Sequence, residues 1–115
     1  MTKILNVDIL STSVRIIKEA RLKEYWHVHE RAKSPLERWR DATLEAEWKS
    51  FPDVRKTFGS ADNVRVSDEK PAVVFNIGGN NWRLITVIHY NTQIVYVRKF
   101  MTHAEYDKGR WKENL

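Results

Sequence analysis

The 115-residue sequence contains no cysteine, which excludes disulfide bonds, a thiol nucleophile and any cysteine-ligated metal. No stretch approaches the run of about 18 apolar residues that a membrane-spanning helix needs. The first ten residues have neither a long apolar segment nor a small-residue cleavage site, so they do not indicate a signal peptide. We therefore expect a cytoplasmic protein with no membrane partner.

Glycine and proline are also scarce, at four and three residues. The length of the chain fits one domain. We divide the chain into an N-terminal extension, 1–13, and a single domain, 14–115. The formal net charge of +5 and the pI of about 9.6 favour an acidic partner, of which nucleic acid is the commonest. Because both signs of charge are mixed along the chain, a merely soluble surface remains the alternative.

The stretch 73–107 organises the chain. Two turn signals, Gly78-Gly79-Asn80 and Asn91-Thr92, separate three apolar runs. Such turns between β-branched and aromatic runs are typical of hairpins, so we predict antiparallel strands at about 73–77, 82–90 and 93–100. A further short strand is possible at 63–66, which would make the meander three- to four-stranded.

An N-terminal strand at 14–17 and a helical hairpin precede this meander. Apolar residues spaced at i, i+3, i+4 and i+7 predict a helix from Glu19 to about Lys33. Ser34, with Pro35 next and Glu37 three positions on, resembles a capping box that starts a second helix to about Trp48. A helical turn is predicted at 51–58. The fold class is therefore α+β, with a short helical segment after the last strand.

Arg83 stands near the start of an otherwise apolar predicted strand. A buried guanidinium is unfavourable unless it meets an anion. Two interpretations stay open: a structural ion pair with a helix carboxylate, or a phosphate clamp, for which the arginine fork is well suited. Arg83 is therefore the single residue of the sequence that is most informative about function.

The segment Thr102-His103-Ala104-Glu105-Tyr106-Asp107 follows the last strand. Thr102 and Glu105 fit a capping box, and the helical turn it starts would place His103 and Tyr106 on one face. Histidine exchanges protons near neutral pH. Tyrosine can donate a proton, act as a base where cations lower its pKa, or stack on a nucleobase. With Arg83, Arg98 and Lys99 nearby, this set suits RNA cleavage without a metal ion.

Other chemistry has little support in the sequence. His27 and His29 are two residues apart and point to different faces of a helix, and neither HExxH nor CxxC spacing occurs, so we predict no metal site. The glycines at 78 and 79 join two strands and lack the spacing of a phosphate-binding loop. No cofactor is predicted.

The order of elements, together with several short motifs, resembles the RelE/ParE toxin superfamily, and within it the HigB-type toxins of bacterial toxin–antitoxin systems. The similarity covers roughly 14–113. The motifs that carry it are Val14-Arg15-Ile16-Ile17, Leu22-Lys23-Glu24-Tyr25-Trp26, Ala46-Glu47-Trp48-Lys49, Val74-Phe75-Asn76-Ile77, Asn80-Asn81-Trp82-Arg83-Leu84, Ile94-Val95-Tyr96-Val97-Arg98 and Met101 through Asp107. Residues 1–13, which precede the first strand, depart from the family pattern.

The resemblance implies an endoribonuclease, an mRNA interferase that cuts mRNA in the ribosomal A site. It also implies a HigA-like helix-turn-helix antitoxin, through which alone the toxin would meet operator DNA. The catalytic positions it implies are Arg83, His103 and Tyr106. Cations expected to bind the RNA backbone are Lys56, Arg98, Lys99 and Lys108.

Two alternatives use the same fold. A ParE-like protein would inhibit DNA gyrase through the aromatic helical hairpin without hydrolysis. The segment 102–107 argues against this, because such a protein has no need of those groups. A plain RNA-binding module would bind RNA without cutting it.

Overall fold

The computed structural model describes residues 13–66 and 71–115. The helices and strands are β1 Arg15–Ile17, α1 Ala20–Val28, α2 Lys33–Leu44, α3 Phe51–Thr57, β2 Asp62–Val64, β3 Ala72–Ile77, β4 Trp82–His89, β5 Ile94–Thr102 and α4 His103–Asp107. Single 3₁₀ turns lie at Glu30–Ala32, Tyr90–Thr92 and Arg110–Asn114. The proposed extension, apart from Ser13, and the polar turn expected at 67–70 fall outside the described residues.

The five strands form one sheet in the order β1-β5-β4-β3-β2. The strands β2 to β5 are antiparallel neighbours, whereas β1 pairs in parallel with β5. A parallel pair needs a long crossover, which the helices and the rest of the meander supply here. The predicted α+β class, with its N-terminal strand, helical hairpin, meander and C-terminal helical segment, is confirmed.

The predicted helix boundaries were wrong at the hairpin. Helix α1 ends at Val28, and α2 begins at Lys33 behind a 3₁₀ turn in which Ala32 is buried. Ser34 therefore lies inside the first turn of α2, where its hydroxyl accepts a hydrogen bond from Arg38 Nη1 at 3.0 Å instead of capping the helix. The buried Ala32, rather than a polar side chain, decides where this helix starts.

Helix α2 ends at Leu44, not near Trp48. Trp48 is buried, and its indole Nε1 donates to the Thr57 hydroxyl at 3.0 Å. The Gln93 side chain bonds both backbone groups of Trp48, accepting from its N–H at 3.0 Å and donating to its carbonyl. These long-range bonds hold Trp48 in an extended connection, which the helical spacing alone did not reveal.

The sheet has a large core on one face and a small one on the other. The helices cover the large core, in which the rings of Trp39, Trp48 and Phe58 surround Phe75 at centroid distances of 5.2–6.2 Å. The small core on the opposite face contains Ala72, Val74, Ile85, Met101 and Trp111. This second face carries no helix of the hairpin, so it is where functional side chains can reach solvent.

A bulge interrupts the β4–β5 ladder. Ile85 pairs with Lys99, but the next residue, Thr86, pairs with Val97, so Arg98 is an extra residue in β5. A bulge of this kind bends the strand and redirects the side chains beyond it. Thr86 is fully buried, and its hydroxyl donates to the Val73 carbonyl at 2.8 Å, so the buried polar group is satisfied.

Candidate active site

Arg83 lies on β4 opposite Met101 of β5, and its neighbours Trp82 and Leu84 pack into the helix-covered core. Since successive side chains of a strand point to opposite faces, the guanidinium lies on the second face. Only 8% of the residue is exposed. Arg83 therefore points away from the helix-covered core.

The guanidinium is held by neutral groups. Nη1 donates to the carbonyls of Asn80 and Trp82 at 3.2 and 3.1 Å, and Nη2 donates to Asn80 Oδ1 at 2.5 Å. Within residues 13–66 and 71–115, no carboxylate forms a salt bridge with it. A nearly buried cation without a charged partner is electrostatically unsatisfied. This arrangement favours the phosphate clamp over the structural ion pair.

Tyr106 covers this cation, with its ring centroid 5.6 Å from Arg83 Cζ. The capping box predicted at the start of α4 is confirmed: Thr102 accepts from the Glu105 amide at 3.1 Å, and Glu105 accepts from the Thr102 amide at 3.0 Å. The bonds from Thr102 lower the pKa of Glu105. This cap sets the start of α4, and Tyr106 of this helix packs against the small core on the second face.

The pKa of Tyr106 is raised above its ordinary value, mainly by burial and next by the charge of Asp62, and the Arg83 guanidinium opposes this only in part. The phenol therefore stays protonated at neutral pH. Of the roles that the sequence left open, the structure favours donation of a proton or hydrogen bond and stacking, and it disfavours a tyrosinate base.

His103 is the first residue of α4, and its side chain is 41% exposed. The imidazole Nε2 lies 3.1 Å from Asp107 Oδ2. Its backbone N–H donates to the Asn81 carbonyl at 3.0 Å, which ties it to the turn that holds Arg83. A partly exposed imidazole oriented by a carboxylate is suited to accept a proton from a substrate.

The other predicted RNA-binding cations fall into two groups. Arg98, Lys99 and Lys108 line one cleft of about 580 Å³. Lys99 Nζ donates to the Trp111 carbonyl at 3.2 Å, and Arg98 donates to the backbone oxygen of Leu115. Lys56 lies on α3, its side chain 81% exposed and 3.7 Å from Asp53, and it does not line this cleft. Its role in RNA binding stays a prediction.

Sequence reasoning missed Trp111 as part of the site. Its indole stacks on Tyr106, with centroids 5.2 Å apart and planes within 15°, and its Nε1 donates to the Tyr106 carbonyl at 3.1 Å. The available signal was a single tryptophan in an otherwise polar C-terminal segment. Trp111 supports Tyr106 from behind and completes the aromatic wall beside Arg83.

Residues 13–66 and 71–115 contain neither a grouped metal-ligand set nor a membrane-spanning helix. No three histidine or carboxylate side chains in these ranges are grouped so that they could hold a metal ion. None of the helices in these ranges has the length and apolar character needed to cross a membrane.

Comparison with known families identifies the family to which the chain belongs. Residues 32–109, from the start of α2 past the end of α4, match the profile of HigB toxins, described as the RelE-like toxic component of a toxin–antitoxin system. The chain belongs to this HigB toxin family. The matched range contains β3 to β5 and the three residues Arg83, His103 and Tyr106.

Individual relatives extend the similarity towards the N-terminus. The chain is 29% identical, over 94 residues, to the mRNA interferase toxin HigB of Escherichia coli strain K12, covering 82% of this chain and 88% of the relative. The mRNA interferase HigB of Escherichia coli O157:H7 gives the same values. That of strain O6:H1 is 31% identical over 64 residues, covering 56% and 60% of the two chains.

Membership of a toxin–antitoxin family implies an antitoxin partner for this toxin. The family and the relatives thus agree with the predicted resemblance.

Proposed function

We propose that this toxin cleaves mRNA on the ribosome by a metal-independent reaction at Arg83, His103 and Tyr106. Its membership of the HigB family and the mRNA interferase name of its relatives support an endoribonuclease. The single observation that carries the site assignment is the nearly buried Arg83, which has no charged partner among the described residues and lies against Tyr106.

The reaction needs a base, an acid and a cation. In the proposed mechanism His103, oriented by Asp107, removes the proton from the ribose 2′-OH, and the 2′-oxygen attacks the adjacent phosphorus. Arg83 binds the phosphoryl oxygens and stabilises the charge of the pentacoordinate transition state. The bond from phosphorus to the 5′-oxygen breaks, and the protonated Tyr106 donates a proton to that oxygen. A 2′,3′-cyclic phosphate and a 5′-hydroxyl result.

The proposal includes the cellular setting. The antitoxin partner is a HigA-like helix-turn-helix protein, which neutralises the toxin and carries it to operator DNA, and both act in the cytoplasm. Lys56, Arg98, Lys99 and Lys108 contact RNA phosphates. The excess of positive charge, +5 overall, supports a polyanionic substrate.

The test is cleavage of a defined mRNA on programmed ribosomes by purified toxin, mapped by primer extension at a constant Mg²⁺ concentration that keeps the ribosomes assembled. An mRNA with a phosphorothioate at the cut site is assayed in parallel with and without added Mn²⁺, which would restore cleavage if a metal ion bound that phosphate. We expect no restoration by Mn²⁺, and a loss of roughly 10²–10³ in rate for His103→Ala. Tyr106→Phe should lower the rate while retaining the ring and its stacking on Trp111. Lys23→Gln removes an exposed cation on α1 and serves as the control.

Cleavage by His103→Ala and Tyr106→Phe at the wild-type rate would show that the reaction centre has been misassigned. Cleavage of the phosphorothioate mRNA that is slow without Mn²⁺ and restored with it would contradict the metal-independent mechanism. Binding to mRNA without any cut product would instead identify a non-catalytic RNA-binding protein.

A further inference from the structure

Among residues 13–66 and 71–115, the outer edge of β5 is open beyond its first three residues. Strand β1 pairs only with Ile94–Tyr96, so no strand of these ranges lies beside the remaining length of β5, 97–102. Here lies the cleft of about 580 Å³, between α1, the edge of β5 and the turn that contains Trp111. None of the catalytic residues assigned above, Arg83, His103 and Tyr106, lines it.

The cleft is strongly cationic. Its lining includes Arg98, Lys99, Lys108 and Arg110, opposed by one carboxylate, Glu105. That carboxylate already accepts hydrogen bonds from the amide and the hydroxyl of Thr102. An adjoining cavity of about 310 Å³ is lined by Lys18 and Arg21 and shares two of these cations. The edge therefore presents a continuous positive groove.

Aromatic rings form part of the same lining. Tyr25 of α1 and Phe100 of β5 stack on each other with centroids 5.1 Å apart and planes within 17°. Both are only partly buried, and Trp111 contributes to the cleft from the other side. Aromatic rings set beside cations are the combination by which proteins bind single-stranded nucleic acid, since bases stack while phosphates meet charge.

An acidic peptide adding a strand to this edge is the competing occupant, and the backbone bonds disfavour it. Arg21 Nη1 already donates to the carbonyls of Val97 and Arg98, at 3.1 and 3.2 Å. The amide of Thr102 is taken by Glu105. An edge whose backbone groups are capped at both ends is a poor template for another strand.

The cleft also connects with the reaction centre. Trp111 lines it and stacks at 5.2 Å on Tyr106, whose ring in turn lies 5.6 Å from Arg83 Cζ. Phe100 also stacks on Trp82, with centroids 6.1 Å apart, so Tyr25 is the ring of this pair that can meet a base. We infer that this cleft is an RNA subsite in which Tyr25 stacks a base of the mRNA strand beside the cleaved phosphate, and Arg98, Lys108 and Arg110 hold its backbone. This inference rests on the proposed function, because it assumes that RNA is the substrate.

The experiment measures binding separately from cleavage. A 12-nucleotide RNA with 2′-O-methyl riboses lacks the attacking hydroxyl, so fluorescence anisotropy can report its affinity for the toxin over a range of salt concentrations. For the double variant Lys108→Gln/Arg110→Gln, whose side chains are exposed, we expect the slope of log K against log salt to fall by about 0.7 for each lost phosphate contact. For Tyr25→Leu we expect affinity to fall between about five- and 150-fold at constant slope.

Lys23→Gln, which removes one exposed positive charge from the same helix as Tyr25 but outside the cleft, should leave affinity and slope unchanged. Wild-type affinity in both cleft variants, or no measurable RNA binding by the wild type, would overturn the subsite. A 12-residue polyglutamate peptide is the competing probe. If the cleft variants lose the peptide but keep the RNA, the cleft is a protein-docking groove and the inference is wrong.

The two proposals fail differently. If the wild type cuts mRNA but cleft variants bind and cut normally, only the subsite is wrong. If the wild type does not cut mRNA on ribosomes, the proposed function fails, whatever the binding assay shows.

Discussion

Replacing Arg83 by methionine should separate activity from stability. Methionine fills similar space without charge. The substitution removes the cation–π contact with Tyr106, worth about 0.5–2 kcal/mol. It also removes three hydrogen bonds, two of which go to oxygens of the exposed Asn80 that water can solvate instead.

The substitution also stabilises the protein, because it removes a buried charge without a charged partner. The desolvation of such a charge is unfavourable by several kcal/mol. The terms are similar in size and opposite in sign. We therefore expect the free energy of unfolding of Arg83→Met to remain within about 1 kcal/mol of the wild type, since neither effect dominates. A structural ion pair would behave otherwise, because breaking a buried pair typically destabilises by about 3–5 kcal/mol.

Activity should change far more. The loss of one charge contact to the transition state typically lowers the rate by about 10²–10³, and methionine cannot bind a phosphoryl oxygen. Urea denaturation followed by tryptophan fluorescence gives the stability, and cleavage on programmed ribosomes gives the rate.

If the free energy of unfolding of Arg83→Met is lower than that of the wild type by more than about 3 kcal/mol, Arg83 is a structural residue and the phosphate clamp is refuted. It is also refuted if the variant is stable and cuts at the wild-type rate. Arg83→Lys sharpens the comparison, because it keeps the charge but loses the planar fork.

Three further predictions concern the scaffold of the site. Gly78→Ala should destabilise the protein by more than about 1 kcal/mol, because φ is +62° and a Cβ would lie 2.7 Å from the Trp82 ring. Gly79→Ala is the control: φ is +67°, but no atom lies within 4 Å of the added Cβ. It should destabilise the protein less in the same urea titration. The Tyr90 hydroxyl is buried without a hydrogen-bond partner among the described residues, and burial raises its pKa to about 12. Tyr90→Phe should therefore stabilise by roughly 1 kcal/mol at pH 7. It should also reduce the loss of wild-type stability as the pH rises from 10 towards 12, measured by thermal melting. The pKa of Glu105 is depressed in the folded protein. Its contribution to the stability of the fold is therefore present above its ordinary pKa of 4.5 and is lost as the pH falls through the lower folded pKa. Glu105→Gln should flatten the dependence of the melting temperature on pH in that acidic range.

The sheet could be predicted from the sequence because its turns are local. The pairs Gly78-Gly79 and Asn91-Thr92 fix where the hairpins reverse, and the alternation between them fixes which side chains share a face. That was sufficient to place Arg83 on the face of β4 opposite Trp82 and Leu84, but not to decide which of the two faces the helices cover. The capping box at Thr102 is local as well, and it was predicted correctly for the same reason.

The helix ends could not be predicted because tertiary contacts decide them. Ser34 has the residue type of a helix cap, but the burial of Ala32 starts the helix earlier. Trp48 continues a helical spacing, but Gln93, 45 residues away in sequence, bonds its backbone. The same limit explains why Trp111 was missed: its role depends on a 3₁₀ turn that folds back onto the second face.

The two faces of the sheet divide stability from chemistry. The helix-covered face buries Trp39, Trp48 and Phe75, which gives the domain most of its apolar core. The opposite face has a small core, and there a nearly buried arginine lies under a protonated tyrosine and forms no salt bridge with a carboxylate of the described residues. Such a group persists where the surrounding structure stabilises the domain enough to tolerate it. The large core on one face thus makes possible an unsatisfied cation on the other, and an RNA phosphate is the anion that would satisfy it.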